Sequence, residues 1–267
     1  MQERMTSDKG REYAIHLHLP YGDPPVSGYP LIWLLDTPTT WAPMQHALHE
    51  AGDSDTVVVG IGWDEPGGVD PNLRRRDFTW PARHPVRPLH GETGAWREDG
   101  DAGAFLAFLT DTLQPHYLKT LAVDPRRQAL VGHSLSALFV LEALLSGPDR
   151  FQCYVAASPS IWWDEARILD DVAASDPFDA GDARVLVTVG SEEQVAGPEK
   201  PPEIDGEADA AMLGEPHMVD YASGFARSLR KRGVDCRFEL IEGETHTSVI
   251  PPAMARALRF CRDEALA

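Results

Sequence analysis

The sequence predicts an α/β fold in which helices cover both faces of a mostly parallel central sheet. Strand-like and helix-like segments alternate from residue 31 to the end, as they do in layered α/β proteins. Residues 29–36 and 56–62 are continuous apolar runs, which is typical of strands buried on both faces. The 267 residues suffice for one large core, and no stretch has the composition of a linker. We therefore expect a single domain over residues 1–267.

The predicted elements follow one another in a regular order. Residues 13–20 alternate apolar and polar side chains, which predicts an edge strand before the first buried strand. Gly233 marks the end of a helix, because glycine is a strong C-terminal stop signal. The other predicted strands cover residues 29–36, 56–62, 129–131, 153–158, 185–190 and 236–241, and the predicted helices cover residues 41–50, 102–119, 136–145, 218–231 and 251–264.

Two long segments interrupt this alternation. Residues 63–100 are rich in Pro, Gly and Arg and contain Trp80 and Trp96. Long loops within compact domains commonly form lids or binding loops, so we expect a substrate-binding insertion here, with a disordered insertion as the alternative. Residues 192–215 are acidic and rich in Pro and Gly, and for most of them we expect a flexible loop.

The net negative charge of the chain disfavours some classes of binding partner. The chain has 24 Lys and Arg against 42 Asp and Glu, a net charge of −18. Such acidity argues against binding to nucleic acid or to anionic membrane surfaces. No window reaches the roughly 18 apolar residues of a membrane span, and the N-terminus lacks the apolar core of a secretory signal. We expect a cytoplasmic protein that acts on a small molecule; the sequence leaves its oligomeric state open.

The three cysteines have no spacing typical of a metal site. Their odd number and the expected compartment favour free thiols. Among His16, His18, His84, His90, His116 and His217, the one closely spaced pair is His16 and His18, which alternate along a predicted edge strand. We therefore expect neither a metal nor a cofactor.

A short apolar strand runs directly into a helix after Val131. Gly132, His133 and Ser134 form a sharp corner between the two. This layout is typical of a nucleophile elbow, in which a serine hydroxyl is exposed on a tight strand-to-helix turn. The usual pattern is Gly-x-Ser-x-Gly, and Ser136 stands in place of the second glycine. Because a serine at a helix start is more often an N-cap, the corner alone leaves both interpretations open.

Two later strand ends supply partners for a serine nucleophile. Glu192 and Glu193 follow the predicted strand 185–190, and His246 follows the last predicted strand. The order Ser, acid, His along the chain is the order of α/β-hydrolases. Ligands of open α/β sheets bind outside the carboxyl ends of the strands, where all of these residues would lie. We predict catalytic Ser134 and His246 with Glu193 as the acid; Glu192, or no strong third member, is the alternative.

An oxyanion hole needs two backbone donors. The amide of Leu135 opens the helix after the elbow and is one candidate. The second should come from the loop after the first buried strand. Pro38 has no N–H there, so we expect Thr37 to donate. His133 should pack or hydrogen-bond beneath the elbow, because a residue adjacent to the nucleophile on a tight turn points the wrong way to act as its base.

A run of three arginines stands out on this acidic chain. Arg74 and Arg76 are candidates to grip an anionic part of a substrate, and a solvated charge run is the alternative. Several tryptophans are candidates for an aromatic pocket, above all Trp41 and Trp162, although core packing is the more common role of a tryptophan.

Several motifs together resemble a known family. The chain is similar, over about residues 10 to 262, to the esterase family of α/β-hydrolases that includes the siderophore esterases acting on enterobactin and salmochelin. The Ala-Ser-Pro-Ser-Ile-Trp-Trp segment is the most specific part of the match. The resemblance rests on residues 29–36, 59–62, 76–79, 132–135, 156–164 and 189–193, on His246 and on residues 248–249.

The resemblance implies an α/β-hydrolase fold and ester hydrolysis through Ser134 and His246. It also implies substrate binding by the arginine before Asp-Phe-Thr, which is Arg76 here, with Arg74 close by. The sequence departs from the family at two places. Thr37 stands where the family usually has glycine in the oxyanion loop, and Ser136 stands where it often has glycine in the elbow.

We therefore expect a serine esterase, with a siderophore-type lactone as one substrate. A general short-acyl ester or thioester hydrolase, or an acyltransferase, is the alternative within enzymes. A non-catalytic hydrolase fold used for binding is the alternative outside them, and the presence of both Ser134 and His246 argues against it.

Overall fold

The computed structural model describes residues 1–52, 55–64, 68–86, 100–174, 180–194 and 217–262. The strands are β1 Gln2–Thr6, β2 Glu12–His18, β3 Tyr29–Leu35, β4 Val57–Gly62, β5 Val123–His133, β6 Cys153–Ala157, β7 Arg184–Gly190 and β8 Asp235–Ile241. The helices are α1 Thr37–Glu50, α2 Pro71–Phe78, α3 Ala102–Ala107, α4 Gln114–Thr120, α5 Leu135–Ser146, α6 Trp163–Ala174, α7 Met218–Lys231 and α8 Ile250–Arg262.

The described strands form one sheet in the order β1-β2-β4-β3-β5-β6-β7-β8. From β4 to β8 all neighbours are parallel, whereas β1 and β2 form an antiparallel extension at one edge. The mostly parallel sheet with flanking helices confirms the predicted fold class. Because parallel strands share one direction, their carboxyl ends all lie along the same edge of the sheet.

The core lies on both faces of the sheet. Along β3, Trp33 faces the side covered by α3, α5, α6 and α7, and Leu34 faces the side covered by α1 and α8. Both side chains are fully buried, because successive strand residues point to opposite faces. This explains why the central strands are uninterrupted apolar runs.

The segment predicted as an insertion at 63–100 contains a regular helix, which corrects the expectation of a long loop. Asp70 caps α2 with its carboxylate, which accepts from the amides of Asn72 and Leu73, and Pro71 occupies the first turn. Beyond the helix, Trp80 stacks on Phe139 of α5 at 5.6 Å between ring centroids. Residues 87–99 and most of the predicted flexible loop 192–215 lie outside the described residues.

Several boundaries differ from those predicted. Helix α1 begins at Thr37 rather than at residue 41, because Asp36 turns the chain in a left-handed conformation (φ 62°) and Pro38 suits the first helical turn. Strand β5 begins at Val123 rather than at residue 129, and its early residues are partly exposed and polar. Strand β1 and helix α6 were not predicted.

The three cysteines are free thiols. The sulfur atoms of Cys153 on β6 and Cys261 on α8 lie 3.6 Å apart. Burial raises the pKa of Cys236 to about 12, so that thiol is protonated at neutral pH. No helix among the residues described combines the length and the apolar character needed to cross a membrane.

Candidate active site

Ser134 lies on a tight corner between β5 and α5. Its backbone has φ 61° and ψ −119°, a conformation that a non-glycine residue rarely adopts. The corner is possible because residue 132 is glycine: a Cβ there would approach the carbonyl oxygen of Ser136 to 2.5 Å. The amide of Ser134 donates to the carbonyl of Ala157 at 2.9 Å, which ties the corner to β6. This is the geometry of a nucleophile elbow.

Ser136 replaces the usual second glycine of the elbow and is fully buried. Its hydroxyl donates to the carbonyl oxygen of His133 at 2.8 Å and accepts from the amide of the same residue at 2.9 Å. A small side chain therefore fits at this position, and it satisfies the backbone polar groups that lie just before the corner.

His246 lies in the loop between β8 and α8, next to Ser134. Its Nε2 is 2.9 Å from the Oγ of Ser134, and its Nδ1 is 2.6 Å from Oε2 of Glu193. The loop is closed by the bond from the amide of Val249 to the carbonyl of Thr245 at 3.0 Å. Hydroxyl, imidazole and carboxylate thus form one continuous hydrogen-bonded chain, the arrangement that a Ser–His–acid relay requires.

Glu193 is the carboxylate that reaches His246, and Glu192 is not. Glu193 ends a short 3-10 turn after β7 and is completely buried, whereas the neighbouring Glu192 is exposed. The Oε1 atom of Glu193 accepts from the amide of Gly190 at 2.7 Å and from the hydroxyl of Ser158 at 2.6 Å. With His246 on Oε2, the buried carboxylate has three donors.

Sequence reasoning gave no role to the two serines that follow β6. Ser158 is fully buried with φ 46°, and its hydroxyl bonds to Glu193. The Oγ of Ser160 lies 3.3 Å from the Oγ of Ser134, and its amide donates to the carbonyl of Ser134 at 3.2 Å. Their place after a strand end, in the most specific part of the family resemblance, was the signal that could have drawn attention to them.

His133 packs beneath the elbow, as expected. Its Nε2 donates to the carbonyl oxygen of His246 at 3.0 Å, and the two rings lie 4.8 Å apart. Burial lowers the pKa of His133 well below its usual value, and the neighbouring His246 and Arg74 lower it further. His133 is therefore neutral at physiological pH and supports the loop that carries His246.

Both predicted oxyanion donors stand at the first position of a helix. Leu135 begins α5 and Thr37 begins α1, and the first amides of a helix have no acceptor within it. Thr37 is buried, and its hydroxyl packs so closely on Gly62 that a Cβ at Gly62 would collide with it. The threonine found in place of the family's glycine is therefore accommodated by a glycine on β4.

Comparison with known proteins identifies the family. A family model described as "Putative esterase" matches residues 6–226. The chain belongs to this esterase family. It is 32% identical to the ferri-bacillibactin esterase BesA of Bacillus subtilis, over 96% of this chain and 88% of BesA. It is 31% identical to a siderophore enterobactin esterase of Emericella nidulans, over 79% of this chain and 73% of the relative.

Solved structures agree with this assignment. The BES protein of Bacillus cereus has a TM-score of 0.76 at 29% identity, covering 98% of this chain and 95% of that one. The siderophore hydrolase EstB of Aspergillus nidulans has a TM-score of 0.78 at 24% identity, covering 98% of this chain and 93% of EstB. The esterase has the α/β-hydrolase fold and is an enzyme that hydrolyses ester bonds.

The three consecutive arginines of the esterase point in three directions. Arg74 pairs with the buried Asp36 at 2.8 Å, directly before the predicted oxyanion residue Thr37. Arg75 is buried over the ring of Trp163, at 4.7 Å from its centroid. The three arginines are therefore not a solvated charge run.

Arg76 forms a bidentate pair with the buried Asp77, with both bonds at 2.7 Å. It lines a cavity of about 410 Å³ together with Arg11, Tyr13 and Trp63. Arg74 rather than Arg76 therefore lies next to the elbow, where it also acts electrostatically on His133. The cavity lies at the β2–β4 side, because Trp63 follows β4 and Tyr13 is on β2.

The two tryptophans predicted to bind substrate differ in their contacts. Trp41 on α1 lies 5.2 Å from the ring of His16 and covers Gly60 of β4, where a Cβ would come within 2.7 Å of it. These are the contacts of a packing residue, and the substrate role of Trp41 stays a prediction. Trp162 is half-buried, two residues after Ser160, on the segment that lies against the nucleophile.

The described part of the esterase contains no group of three or more His, Cys, Asp and Glu side chains that could hold a metal ion.

Proposed function

We propose that this esterase hydrolyses carboxylic esters by a Ser–His–acid mechanism and that its substrate is a siderophore ester of the catecholate lactone class. The observation that carries the mechanism is the relay from Ser134 Oγ to His246 Nε2 at 2.9 Å and from His246 Nδ1 to Glu193 Oε2 at 2.6 Å. The substrate class is supported by the relatives, two of which are named for the siderophores bacillibactin and enterobactin.

The first half of the reaction forms an acyl-enzyme. His246 takes the proton of Ser134 as the hydroxyl oxygen attacks the ester carbonyl. The resulting imidazolium faces the buried carboxylate of Glu193, which holds the ring in position and stabilises its charge. His246 then gives the proton to the leaving alkoxide, the alcohol departs, and the acyl group remains on Ser134.

The second half releases the acid. Water enters where the alcohol left, His246 removes a proton from it, and the hydroxide attacks the acyl carbonyl. Collapse of the tetrahedral intermediate returns the proton to Ser134. In both halves the amides of Leu135 and Thr37 would hold the oxyanion; this is favoured by their positions at the starts of α5 and α1.

The substrate would contact two arginines near the carboxyl ends of the strands. Arg74 is 17% exposed beside the oxyanion loop, and Arg76 is 29% exposed in the cavity at the β2–β4 side. A catecholate lactone carries several anionic arms, so we assign one arm to each guanidinium and the half-buried Trp162 to a catechol ring. This arrangement would favour a large, multiply charged ester over a small neutral one.

Replacing Ser134 tests the mechanism. We expect Ser134→Ala to lower kcat on p-nitrophenyl acetate by at least about 10³-fold. Ser146→Ala, the same substitution at the far end of α5, should stay within about twofold of wild type, because the exposed Ser146 bonds to the carbonyl of Ala143 and to Arg150, both away from the elbow. Undiminished turnover by Ser134→Ala would overturn the mechanism.

Competing substrates test the class. We expect kcat/KM for a ferric catecholate trilactone to exceed that for p-nitrophenyl acetate by about 100-fold, the effect of two or three added polar contacts. Cleavage of the simple ester without cleavage of the trilactone would instead establish a general short-acyl hydrolase. Failure of a fluorophosphonate to label Ser134 would point to a binding protein.

A further inference from the structure

We propose that Ser158 is a positioning residue that fixes the catalytic carboxylate of Glu193. The inference rests on the proposed Ser–His–acid mechanism and assigns a role to a residue that the relay itself does not include. Ser158 touches neither Ser134 nor His246 through its hydroxyl; its hydroxyl bonds to Glu193 Oε1 at 2.6 Å.

The hydrogen bonds of Glu193 show what Ser158 contributes. Oε2 faces His246, and Oε1 is held by the amide of Gly190 and by the hydroxyl of Ser158. A carboxylate with a single donor on Oε1 is held less firmly about its terminal bond, because that torsion is broad and roughly two-fold. Two donors from different elements fix the plane of the group and thereby the direction of Oε2.

The backbone of Ser158 is adapted to this contact. The residue has φ 46° without being glycine, and its amide donates to the carbonyl of Thr188 at 2.8 Å. This bond continues the pairing of β6 with β7 by one residue beyond the strand. The left-handed turn costs backbone energy, and it places the hydroxyl against a fully buried acid on the neighbouring strand end.

The choice of residue at this position follows from the same geometry. Threonine offers the same hydroxyl, but a branched Cβ is poorly tolerated at positive φ. Alanine and glycine fit the space but donate no hydrogen bond. Serine is thus the smallest side chain that supplies the donor in this conformation.

The removal of a donor to a buried charge should slow the chemical step. The relay works only while Oε2 faces the imidazolium that forms in the transition state. Loss of a hydrogen bond to a charged group corresponds to about tenfold or more in rate. Substrate binding should not change, because Ser158 is buried beneath the relay.

Ser158→Gly is the variant that tests this. Glycine accepts φ 46° without strain, so the fold is retained while the hydroxyl is lost. We expect kcat to fall about tenfold, with KM within twofold of wild type and with cooperative thermal unfolding at a Tm that stays above the assay temperature. Glu165→Gly is the matched control, because Glu165 is exposed and also left-handed (φ 57°), and it should change kcat less than about twofold.

A double-mutant cycle shows whether Ser158 acts through Glu193. In a Glu193→Gln background, we expect Ser158→Gly to cost less than about twofold further, since residues of one network are not additive. In the proton NMR spectrum, the far-downfield signal of the His246 Nδ1 proton, absent from His246→Ala, should move upfield in Ser158→Gly. The signal needs no turnover, so it tests Ser158 even if Ser134→Ala were fully active and the proposed mechanism wrong.

Unchanged kcat together with an unchanged Nδ1 proton signal would overturn the role of Ser158. A tenfold loss that persists in the Glu193→Gln background would also overturn it, because Ser158 would then act by a route other than Glu193.

Discussion

The two ends of the parallel strands differ in their side chains: a hydrogen-bonded group lies at one end and an open cavity at the other. At the carboxyl ends, a continuous hydrogen-bonded chain runs from Ser134 through His246 and Glu193 to Ser158. At the amino ends lies a cavity of about 940 Å³, lined by Arg126, Gln152 and Cys261 among others. This cavity is larger than the cavity of about 410 Å³ that Arg76 lines, and it lies at the opposite edge of the sheet from the relay. The proposed reaction therefore follows the hydrogen-bonded side chains at the carboxyl ends and not the cavity at the amino ends.

Replacing His246 should have the largest effect. We expect His246→Ala to lower kcat by at least about 10⁴-fold, because the relay loses its base. Esterase kinetics with p-nitrophenyl acetate measure this, and His49→Ala, on the exposed end of α1, is the control. A rate for His246→Ala near that of wild type would contradict the assignment of the reaction to the carboxyl ends of the strands.

Replacing Glu193 should lower kcat less than replacing His246 does, and replacing the adjacent Glu192 should leave kcat nearly unchanged. We expect Glu193→Gln to reduce kcat by about 10² to 10⁴-fold, because the imidazolium loses its ionic partner and the ring its fixed tautomer. Glu192→Gln removes an exposed carboxylate one residue away and should change kcat less than about twofold. The reverse order of the two effects would reassign the acid.

Gly190 tests how tightly the acid is packed. A Cβ at this position would collide with the carbonyl of Glu244 and lie 3.0 Å from Oε1 of Glu193. We expect Gly190→Ala to destabilise the fold by about 1–3 kcal/mol and to lower kcat about tenfold, measured by thermal unfolding and kinetics. Gly224→Ala on α7, where nothing lies within 4 Å of the added atom, should do neither.

The buried His133 should make the relay end sensitive to acid. Its pKa in the folded state is depressed well below 6.5, so the unfolded chain binds the proton more readily. Stability from this group is present above pH 6.5 and is lost as the pH falls from there toward the depressed pKa. We expect Tm to fall less steeply between pH 7 and about 5 in His133→Gln, which keeps a donor but does not titrate.

Exposed His116 provides the comparison for that measurement. His116→Gln should leave the pH dependence of Tm as in wild type. Parallel curves for wild type and His133→Gln would contradict the expectation for His133.

Substitutions at the amino ends of the strands should have the smallest effect. Arg126 is 82% exposed and pairs with Asp124 at 3.4 Å. Arg126→Ala should change kcat/KM less than about twofold for any ester, since surface pairs contribute little. A loss of more than tenfold would show that the amino-end cavity takes part in the reaction after all.

The sequence predicted the relay because chain order and strand ends define it. A parallel sheet brings the ends of β5, β7 and β8 to one edge, so Ser134, Glu193 and His246 could be expected to meet. The acid was less certain, because a choice between two adjacent glutamates depends on the single 3-10 turn after β7.

Other features depend on contacts that a single sequence does not record. The hydrogen bond from Ser158 to Glu193 requires a left-handed backbone conformation at Ser158, and a serine in a sequence does not predict that conformation. The directions of Arg74 and Arg76 depend on α2, whose arginine-rich sequence lacks the apolar pattern of a helix. The contacts of Trp41 depend on Gly60, a strand residue far from it in the chain.

Ser136 also determines which substitutions this elbow can tolerate. In an elbow with two glycines, a substitution at the second glycine adds side-chain atoms at a tightly packed, buried position. In this chain that position holds Ser136, whose hydroxyl bonds to both the amide and the carbonyl of His133. Replacing Ser136 with glycine would remove two hydrogen bonds and would increase the conformational entropy of the unfolded chain. Ser136→Gly should therefore destabilise this elbow, although glycine is the residue that the usual elbow pattern has at this position.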